Sequence, residues 1–373
     1  MLTSIIILTH NQLQYTQECI YSIRKYTVQQ EYELIVVDNA STDGTVEWLQ
    51  KQSDILLVKN AENMGFPKGC NQGIKKAKGE NILLLNNDVV VTDRWLSNLI
   101  QCLNEEKDAA AVGPVTNSAS YYSAIPTSYR DIQEMQEFAS LYNQSDKNKW
   151  EERMKLIGFC MLIKKSVLDE IGLLDERFTP GNYEDDDLSL RIFEKGYKLY
   201  LCRDTFVHHY GSVSWREDSV KFSMTLNENN GKFCEKWGFY SEGLYIYYDL
   251  LEILDRCMPG KVNMLHVGAG CGATLLEMKS RYSTACLFGA EVNEKAAVLA
   301  NRIAPTICSE YNKLHEVFGG EYFYFILLSH PIEPEQLSRV IQSISQILAP
   351  TGTLIMSKFN LANYIALQSL KKE

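Results

Sequence analysis

Short, continuous runs of apolar residues alternate with amphipathic helix patterns through the first third of the chain. The runs are Ser4–Leu8, Glu33–Val37, Ile55–Val58 and Ile82–Leu85, and Leu13–Tyr26 carries apolar residues at helical spacing. Strands that are apolar on both faces are typical of a parallel sheet covered by helices on each side. Because the crossovers in such sheets are right-handed, the pattern predicts a doubly wound α/β sheet.

Three of these runs end in polar residues. The polar ends are Thr9-His10-Asn11, Asp38-Asn39 and Asn86-Asn87-Asp88. Parallel sheets bind ligands at the carboxyl ends of their strands, so these side chains are expected at one edge, where a nucleotide would lie. Asp88 could hold a divalent cation against a diphosphate, and a helix-capping role is the alternative.

Two further segments carry titratable side chains in unusual density. Four consecutive acids run from Glu184 to Asp187. Neighbouring carboxylates raise one another's pKa, which suits a general base, and a solvated helix start is the alternative. His208 and His209 follow a strand-like run. Since side chains alternate along a strand, one histidine at most is expected to face the site.

Together these segments resemble the family 2 inverting glycosyltransferases of GT-A fold over roughly residues 1–240. The segments that carry the resemblance, in the family's order, are Ile6–Asn11, Val36–Thr45, Asn63–Phe66, Leu84–Asp88, Tyr183–Arg191 and His209–Ser214. The resemblance implies a hexosyl- or deoxyhexosyltransferase. Its donor would be a UDP- or dTDP-linked sugar, and its acceptor a hydroxyl group on a glycan or a protein.

The resemblance also implies roles for individual residues. Asp185 would be the catalytic base with Glu184 beside it, and Asp88 and His209 would bind Mg²⁺ or Mn²⁺, with His208 as the fallback ligand. The residues that would line or shape the nucleotide-sugar pocket are Thr9, Asn11, Asp38, Gly65, Lys68, Asn71 and Asn87.

Two details bear on the metal ligands that the resemblance implies. Asn86 replaces the first acid of the family's D-x-D triplet, whereas the last acid, Asp88, is retained. His209 is preferred over His208 because Ser212 and Ser214 stand where the family has its trailing serines.

A second alternating unit begins near Lys261. Gly268, Gly270 and Gly272 lie between a strand and a helix, and Glu291 ends the next strand. Glycines at such a turn let the backbone approach a ligand closely, and the acid is placed to accept ribose hydroxyls. With the pattern at residues 348–356, this unit resembles a truncated class I S-adenosylmethionine methyltransferase. The resemblance implies S-adenosylmethionine binding by these four residues, and a scaffold without ligand is the alternative.

The expected organisation is therefore an α/β chain with two domains. We expect a GT-A domain at residues 1–240, a linker at 241–259 and a smaller, incomplete Rossmann-like methyltransferase-type domain at 260–373. The polar segment at 116–155 is expected to be a mobile flap or an acceptor-binding insertion.

Composition excludes several classes of protein. With 37 Lys and Arg against 47 Asp and Glu, the formal net charge is −10, which is the opposite of a nucleic-acid-binding surface. No apolar run approaches the roughly 18 residues of a transmembrane helix, and the amino terminus is typical of a strand, not of a signal peptide. The ten cysteines form no C-x-x-C pair. We therefore expect reduced thiols in a cytoplasmic protein, or in one peripheral to the membrane.

Two other functions stay open at this stage. One is an S-adenosylmethionine-dependent methyltransferase whose amino-terminal domain recognises a glycan, and the other is a non-catalytic module of glycan assembly. Loss of Asp185 or Asp88 would abolish the activity of a glycosyltransferase alone. Loss of Gly270 or Glu291 would matter to a methyltransferase alone.

Overall fold

A computed structural model of the chain describes residues 1–211, 219–257, 260–362 and 364. The chain divides into two compact units, Met1–Phe233 and Cys234–Glu373. Ser212 and Ser214, named above beside the metal ligands, lie outside the described residues. No helix within the described ranges combines the length and the apolar character that crossing a membrane requires.

The first unit is built on strands and helices that alternate as the apolar runs predicted. Its strands are β1 (Thr3–Thr9), β2 (Tyr32–Asp38), β3 (Ile55–Lys59), β4 (Asn81–Asn86), β5 (Val89–Val90), β6 (Ala109–Val115), β7 (Trp150–Arg153), β8 (Cys160–Lys164), β9 (Lys198–Phe206) and β10 (His208–His209). Its helices are α1 (Leu13–Tyr26), α2 (Thr45–Leu49), α3 (Phe66–Ile74), α4 (Trp95–Glu105), α5 (Ile132–Tyr142), α6 (Lys165–Ile171), α7 (Glu184–Glu194) and most of α8 (Ser219–Trp237).

Eight of these strands form one mixed sheet in the order β3-β2-β1-β4-β8-β6-β9-β7, and β5 pairs with β10 in a separate two-stranded ribbon. β3, β2, β1 and β4 are parallel, as predicted. Beyond β4 the sheet is mixed. Cys160, the first residue of β8, lies opposite Leu85, so β8 starts at the edge where β4 ends and runs back antiparallel to it.

The core lies on both faces of this sheet. Ile5 and Ile7 of β1 pack in one cluster with Ile20 of α1, whereas Ile6 packs in a second cluster with Ile74 of α3. These residues are at most 5% exposed. The burial of both strand faces explains why the runs are continuously apolar instead of alternating with polar residues.

Helix α3 approaches the sheet closely through a glycine. A Cβ atom placed on Gly73 would lie 2.5 Å from Ile6 Cγ2 and 3.3 Å from Val37 Cγ2. A helix interior normally favours alanine over glycine by about 1 kcal/mol. Here the absence of a side chain is what lets α3 lie against β1 and β2, so the ordinary preference should be reversed.

We predict that Gly73→Ala lowers the free energy of unfolding by about 1–3 kcal/mol, because the added methyl group overpacks the contact with Ile6. Gly231→Ala in α8 is the matched control, because nothing lies within 4 Å of a Cβ at that position. The control should be neutral or stabilising. Urea denaturation of both variants checks the prediction, and an equally stable Gly73→Ala protein would contradict it.

The second unit has its own five-stranded sheet. Its helices are α9 (Tyr248–Arg256), α10 (Ala273–Arg281), α11 (Glu294–Ala300), α12 (Leu314–Val317) and α13 (Pro334–Ile347). Its strands are β11 (Asn263–Val267), β12 (Cys286–Glu291), β13 (Thr306–Cys308), β14 (Phe323–Leu328) and β15 (Leu348–Met356). All neighbours in the order β13-β12-β11-β14-β15 are parallel, as the second alternating pattern predicted. The sheet by itself does not show a methyltransferase, since many unrelated functions share this architecture.

Candidate active site

The polar strand ends of the first unit meet at one edge of the sheet. In the register of the parallel strands Thr9 lies beside Asp38, and Leu8 lies beside Asn86. Asn87 and Asp88 therefore continue from the same edge. The sequence prediction that these residues are brought together is confirmed.

Two of the predicted nucleotide contacts are engaged within the protein. Thr9 is 1% exposed, and its hydroxyl lies 2.9 Å from the Thr16 hydroxyl. Asn87 Nδ2 donates to the same Thr16 oxygen at 3.1 Å. Thr9 thus lies behind Asn87, which is partly exposed. The placement favours support of the edge by Thr9 over direct contact with a ligand.

Asn11 and Asp38 shape the turns that follow β1 and β2. Asn11 Oδ1 accepts a hydrogen bond from the Thr42 N–H at 2.8 Å, which ties the two turns together. Asp38 Oδ1 accepts from the Ser41 N–H at 2.9 Å. Asp38 Oδ2 is buried without a hydrogen-bond partner among the described residues. Since a buried acceptor left unpaired is costly, Asp38 retains the capacity to bind a donor group of a ligand.

Gly65 and Asn71 position α3 below this edge. Gly65 has a φ of +78°, and a Cβ there would lie 2.9 Å from Pro180 Cα, so the position requires glycine. Asn71 Nδ2 donates one hydrogen bond to Leu174 O at 2.9 Å and another to Glu176 Oε1 at 3.1 Å. Its role in the structure is to hold the segment before α7, and contact with a nucleotide would break these bonds. Lys68 is partly exposed in the first turn of α3.

Asp88 and His209 come together although they are far apart in sequence. His209 lies opposite Val89 in the β5–β10 ribbon, and its Nε2 lies 3.2 Å from Asp88 Oδ1. His209 Nδ1 lies 2.7 Å from Ser118 O. A carbonyl oxygen can only accept, so Nδ1 carries a proton, and Nε2 is the ring nitrogen that faces the carboxylate.

This contact fits a cation site. His209 Nε2 is a buried atom that makes no hydrogen bond to any described residue. A lone pair facing a carboxylate oxygen at this distance is unfavourable unless a proton or a metal ion lies between them. An imidazole and a carboxylate are both ligands for divalent cations. Within the described residues no group of three or more His, Cys, Asp or Glu side chains could hold a metal, so further ligands would come from the substrate or water.

His209 is held in place by residues that the sequence analysis missed. Asn117 Oδ1 accepts from the His209 N–H at 2.9 Å, and Asn117 Nδ2 donates to His209 O at 3.1 Å. The His209 ring stacks on Phe159, with centroids 5.1 Å apart. Asn117 and Ser118 belong to the polar segment at 116–155, where only the density of amide and hydroxyl side chains hinted at such contacts.

His208 turns away from Asp88, as strand alternation predicted. Its Nδ1 shares a hydrogen bond with the Tyr129 hydroxyl at 2.7 Å. Burial lowers the pKa of His208 to about 4, and the neighbouring His209 adds to that effect. A neutral His208 bonded to Tyr129 acts as a packing residue behind the ribbon.

Helix α7 begins with the four acids, and their neighbours make them unequal. Asp186 pairs with Lys155 Nζ at 2.9 Å, and Asp187 pairs with Arg191 Nε at 2.9 Å. Both carboxylates are buried. Glu184 is also buried, and burial raises its pKa well above the usual range. Two of the three acids that follow Glu184 thus have a cationic partner.

Asp185 differs from the other three acids because the residue as a whole is partly exposed. Its Oδ2 accepts from the Gly158 N–H at 2.9 Å, and its Oδ1 accepts from the Asp186 N–H at 3.0 Å. Burial raises the pKa of Asp185 to about 6; the Asp186 carboxylate adds to the rise and Lys155 opposes it. An oriented carboxylate with this pKa is ionised at neutral pH and can accept a proton.

We predict that Lys155→Met lowers the free energy of unfolding by about 3–5 kcal/mol, because it leaves the Asp186 carboxylate buried without its cation. Adding Asp186→Leu should recover most of that loss. Lys165→Met is the matched control, since its pair with Asp169 is exposed. Chemical denaturation checks the series, and a Lys155→Met protein as stable as the control would contradict the prediction.

In the second unit, the loop that contains Gly268, Gly270 and Gly272 is held by hydrogen bonds within the protein. Glu291 Oε2 accepts from the Gly270 N–H at 2.8 Å, and Oε1 accepts from the N–H groups of Val292 at 2.8 Å and Asn293 at 3.0 Å. Glu291 is 6% exposed. The carboxylate predicted to accept ribose hydroxyls is thus occupied by backbone donors, and it stabilises the loop.

Each of the three glycines has a positive φ and a close neighbour. A Cβ on Gly268 would lie 2.5 Å from His330 Cβ, and a Cβ on Gly272 would lie 2.9 Å from Ala300 Cα. A Cβ on Gly270 would lie 2.5 Å from Gly243 O. Close packing within the protein therefore accounts for these glycines without a ligand.

Comparison with known proteins gives a family match over part of the first unit. Residues 4–172 match the family model described as glycosyl transferase family 2. A similar protein is glycosyltransferase GlyG of Streptococcus pneumoniae, 24% identical over 247 residues, which are 61% of this chain and 80% of the relative. Another is WfaP of Escherichia coli, a UDP-Glc:alpha-D-GlcNAc-diphosphoundecaprenol beta-1,3-glucosyltransferase, 27% identical over 61% of this chain and 84% of the relative.

Among solved structures, the chain has a partial likeness to the mannosyltransferase PcManGT of Pyrobaculum calidifontis in complex with GDP-Man and Mn²⁺. Its TM-score is 0.47 at 19% identity, over 62% of this chain and 64% of the other. The family match, with the mixed α/β sheet of the first unit, confirms the GT-A-like fold that the motifs implied. None of these matches supports binding of S-adenosylmethionine.

Proposed function

We propose that this glycosyltransferase, whose family 2 domain covers residues 4–172, is a metal-dependent inverting enzyme. It moves a hexosyl or deoxyhexosyl unit from a nucleotide diphosphate sugar to a hydroxyl group of a glycan or protein acceptor. Asp185 is the base, Asp88 and His209 hold the cation, and the turns that contain Asn11 and Asp38 bind the nucleotide.

The observation that carries this proposal is the isolation of Asp185 within an acidic run. Asp186 and Asp187 are paired with cations and buried, and Glu184 is buried. Asp185 is the partly exposed member, with both oxygens oriented by backbone N–H groups and a pKa raised to about 6. If the four acids only stabilised the start of α7, none of them would need to be both partly exposed and held in a fixed orientation.

In the proposed reaction Asp185 accepts the proton of the acceptor hydroxyl. The oxygen then forms a bond to the anomeric carbon from the face opposite the nucleotide, the bond from that carbon to the diphosphate oxygen breaks, and the configuration inverts. The Gly158 N–H fixes the Asp185 oxygen at 2.9 Å, so the base is oriented before the acceptor arrives. Mg²⁺ or Mn²⁺ held by Asp88 and His209 would neutralise charge on the leaving diphosphate.

The donor is proposed to be a UDP- or dTDP-linked sugar. The name of the Escherichia coli relative specifies UDP-Glc as its donor and alpha-D-GlcNAc-diphosphoundecaprenol as its acceptor. That name supports a uridine nucleotide and a saccharide acceptor for this chain.

The first test is the melting temperature of the protein against a panel of UDP- and dTDP-linked sugars, with and without Mn²⁺. A ligand that binds the native state raises the melting temperature by mass action. We expect a shift for at least one of these donors, and a larger shift with Mn²⁺. Stabilisation by S-adenosylmethionine and by none of the nucleotide sugars would contradict the proposal.

We predict that Asp185→Asn lowers the rate of sugar transfer by about 10²–10⁴-fold, because the amide cannot accept the hydroxyl proton. Binding of the nucleotide with Mn²⁺ should persist. Asp169→Asn, which changes an exposed acid on α6, is the matched control and should transfer at the parent rate. Transfer by Asp185→Asn at the parent rate would exclude Asp185 as the base.

We also predict that Asn117→Ala weakens Mn²⁺ binding about 10–100-fold, since the residue holds His209 by both backbone groups. Calorimetric titration of Mn²⁺ into the complex with UDP or dTDP measures this without any turnover. Asn104→Ala, which removes an exposed asparagine of α4, should leave the affinity unchanged. An unchanged affinity in Asn117→Ala would argue against His209 as a ligand held by this clamp.

A further inference from the structure

A groove of about 930 Å³ lies between α1 and α5 in the first unit. The α1 residues that line it include Glu18, Tyr21 and Lys25, which follow helical spacing along one face. The α5 residues Gln133 and Gln136 also line it. None of these side chains has a role in the proposed reaction.

The groove lies next to the metal corner, the proposed cation site formed by Asp88 and His209. Val90 lines it and follows Asp88 by two residues, so their Cα atoms are at most about 7 Å apart. Glu18 Oε2 accepts a hydrogen bond at 2.8 Å from the hydroxyl of Tyr210, the residue after His209. A ligand in the groove would therefore lie beside β5, which follows Asp88, and near Tyr210, which follows His209.

The chemistry of the lining selects the ligand. Glu18, Asp93 and Glu137 outnumber Lys25, so the groove repels phosphates and other anions. Val90 and Ile132 are the aliphatic residues of the lining, and an acyl chain or an amphipathic helix needs a longer apolar stripe.

Aromatic and amide groups supply what a neutral sugar needs. Tyr21 is 53% exposed, and its ring meets Trp48 edge-on, with the centroids 5.9 Å apart. A supported ring of this kind offers a flat apolar surface with a polar tip. Gln133 is exposed, and amides both donate to and accept from hydroxyl groups. A pyranose combines one apolar face with a rim of hydroxyls, so it matches this lining.

We propose that the groove between α1 and α5 binds a neutral oligosaccharide, namely the part of the acceptor glycan that lies beyond the reacting sugar. The identity of that saccharide as the acceptor rests on the proposed function. Its binding to the groove does not, because Tyr21, Gln133 and Gln136 belong to neither the metal corner nor the base.

The test is saturation-transfer NMR with short neutral oligosaccharides of glucose, galactose, mannose or N-acetylglucosamine, without nucleotide or metal. We expect at least one of them to bind the parent protein. Tyr21→Ala should weaken that binding about tenfold, the equivalent of roughly 1.4 kcal/mol. Tyr21→Phe should retain binding because it keeps the ring, and Glu137→Gln should retain it because the ligand is uncharged.

Tyr240→Ala is the matched control, since Tyr240 is 57% exposed and belongs to the second unit. Equal melting temperatures establish that the variants are folded. Binding of no oligosaccharide, equal weakening by the control, or displacement of the saccharide by a lysine oligopeptide would overturn the proposal. Saccharide binding without any nucleotide-sugar binding would instead retain the groove and reject the transfer reaction.

Discussion

Four carboxylates in consecutive positions repel one another, and the surroundings of α7 depend on how that repulsion is relieved. Lys155, two residues after β7, forms an ion pair with Asp186, and Arg191 forms one with Asp187 one helical turn along α7. Burial raises the pKa of Glu184 well above its usual range. Asp185 is the partly exposed member of the run. Compensation of the neighbours thus makes one acid available for chemistry.

The proposed cation site joins Asp88 and His209, two residues that are far apart in the sequence. Asp88 follows the central parallel strand, whereas His209 arrives on a short ribbon strand whose backbone is gripped by Asn117. Ser118 then determines which ring nitrogen carries the proton. The polar segment at 116–155 therefore holds His209, the proposed metal ligand, and, through α5, forms one wall of the groove. The same segment thus contributes to the proposed cation site and to the proposed saccharide site.

Much of this could be predicted from the sequence because periodicity determines where strands end. The apolar runs placed Thr9, Asp38 and Asn86 at one edge, and strand alternation separated His208 from His209. What the sequence could not provide was the long-range pairing of polar groups. The amide of Asn71 is consumed by Leu174 and Glu176, residues a hundred positions away. Glu291 likewise closes its own loop, although its position after a strand is typical of a ribose contact. Such partners depend on the folded arrangement and leave no local pattern.

The pH dependence of kcat/KM for sugar transfer tests most directly whether Asp185 is the base. The raised pKa of about 6 means that the carboxylate gains a proton as the pH falls through that value, and a protonated base cannot accept the hydroxyl proton. Transfer should therefore decline below about pH 6 and level off above it. A profile that stays flat well below pH 6, in a protein that remains folded there, would contradict the assignment.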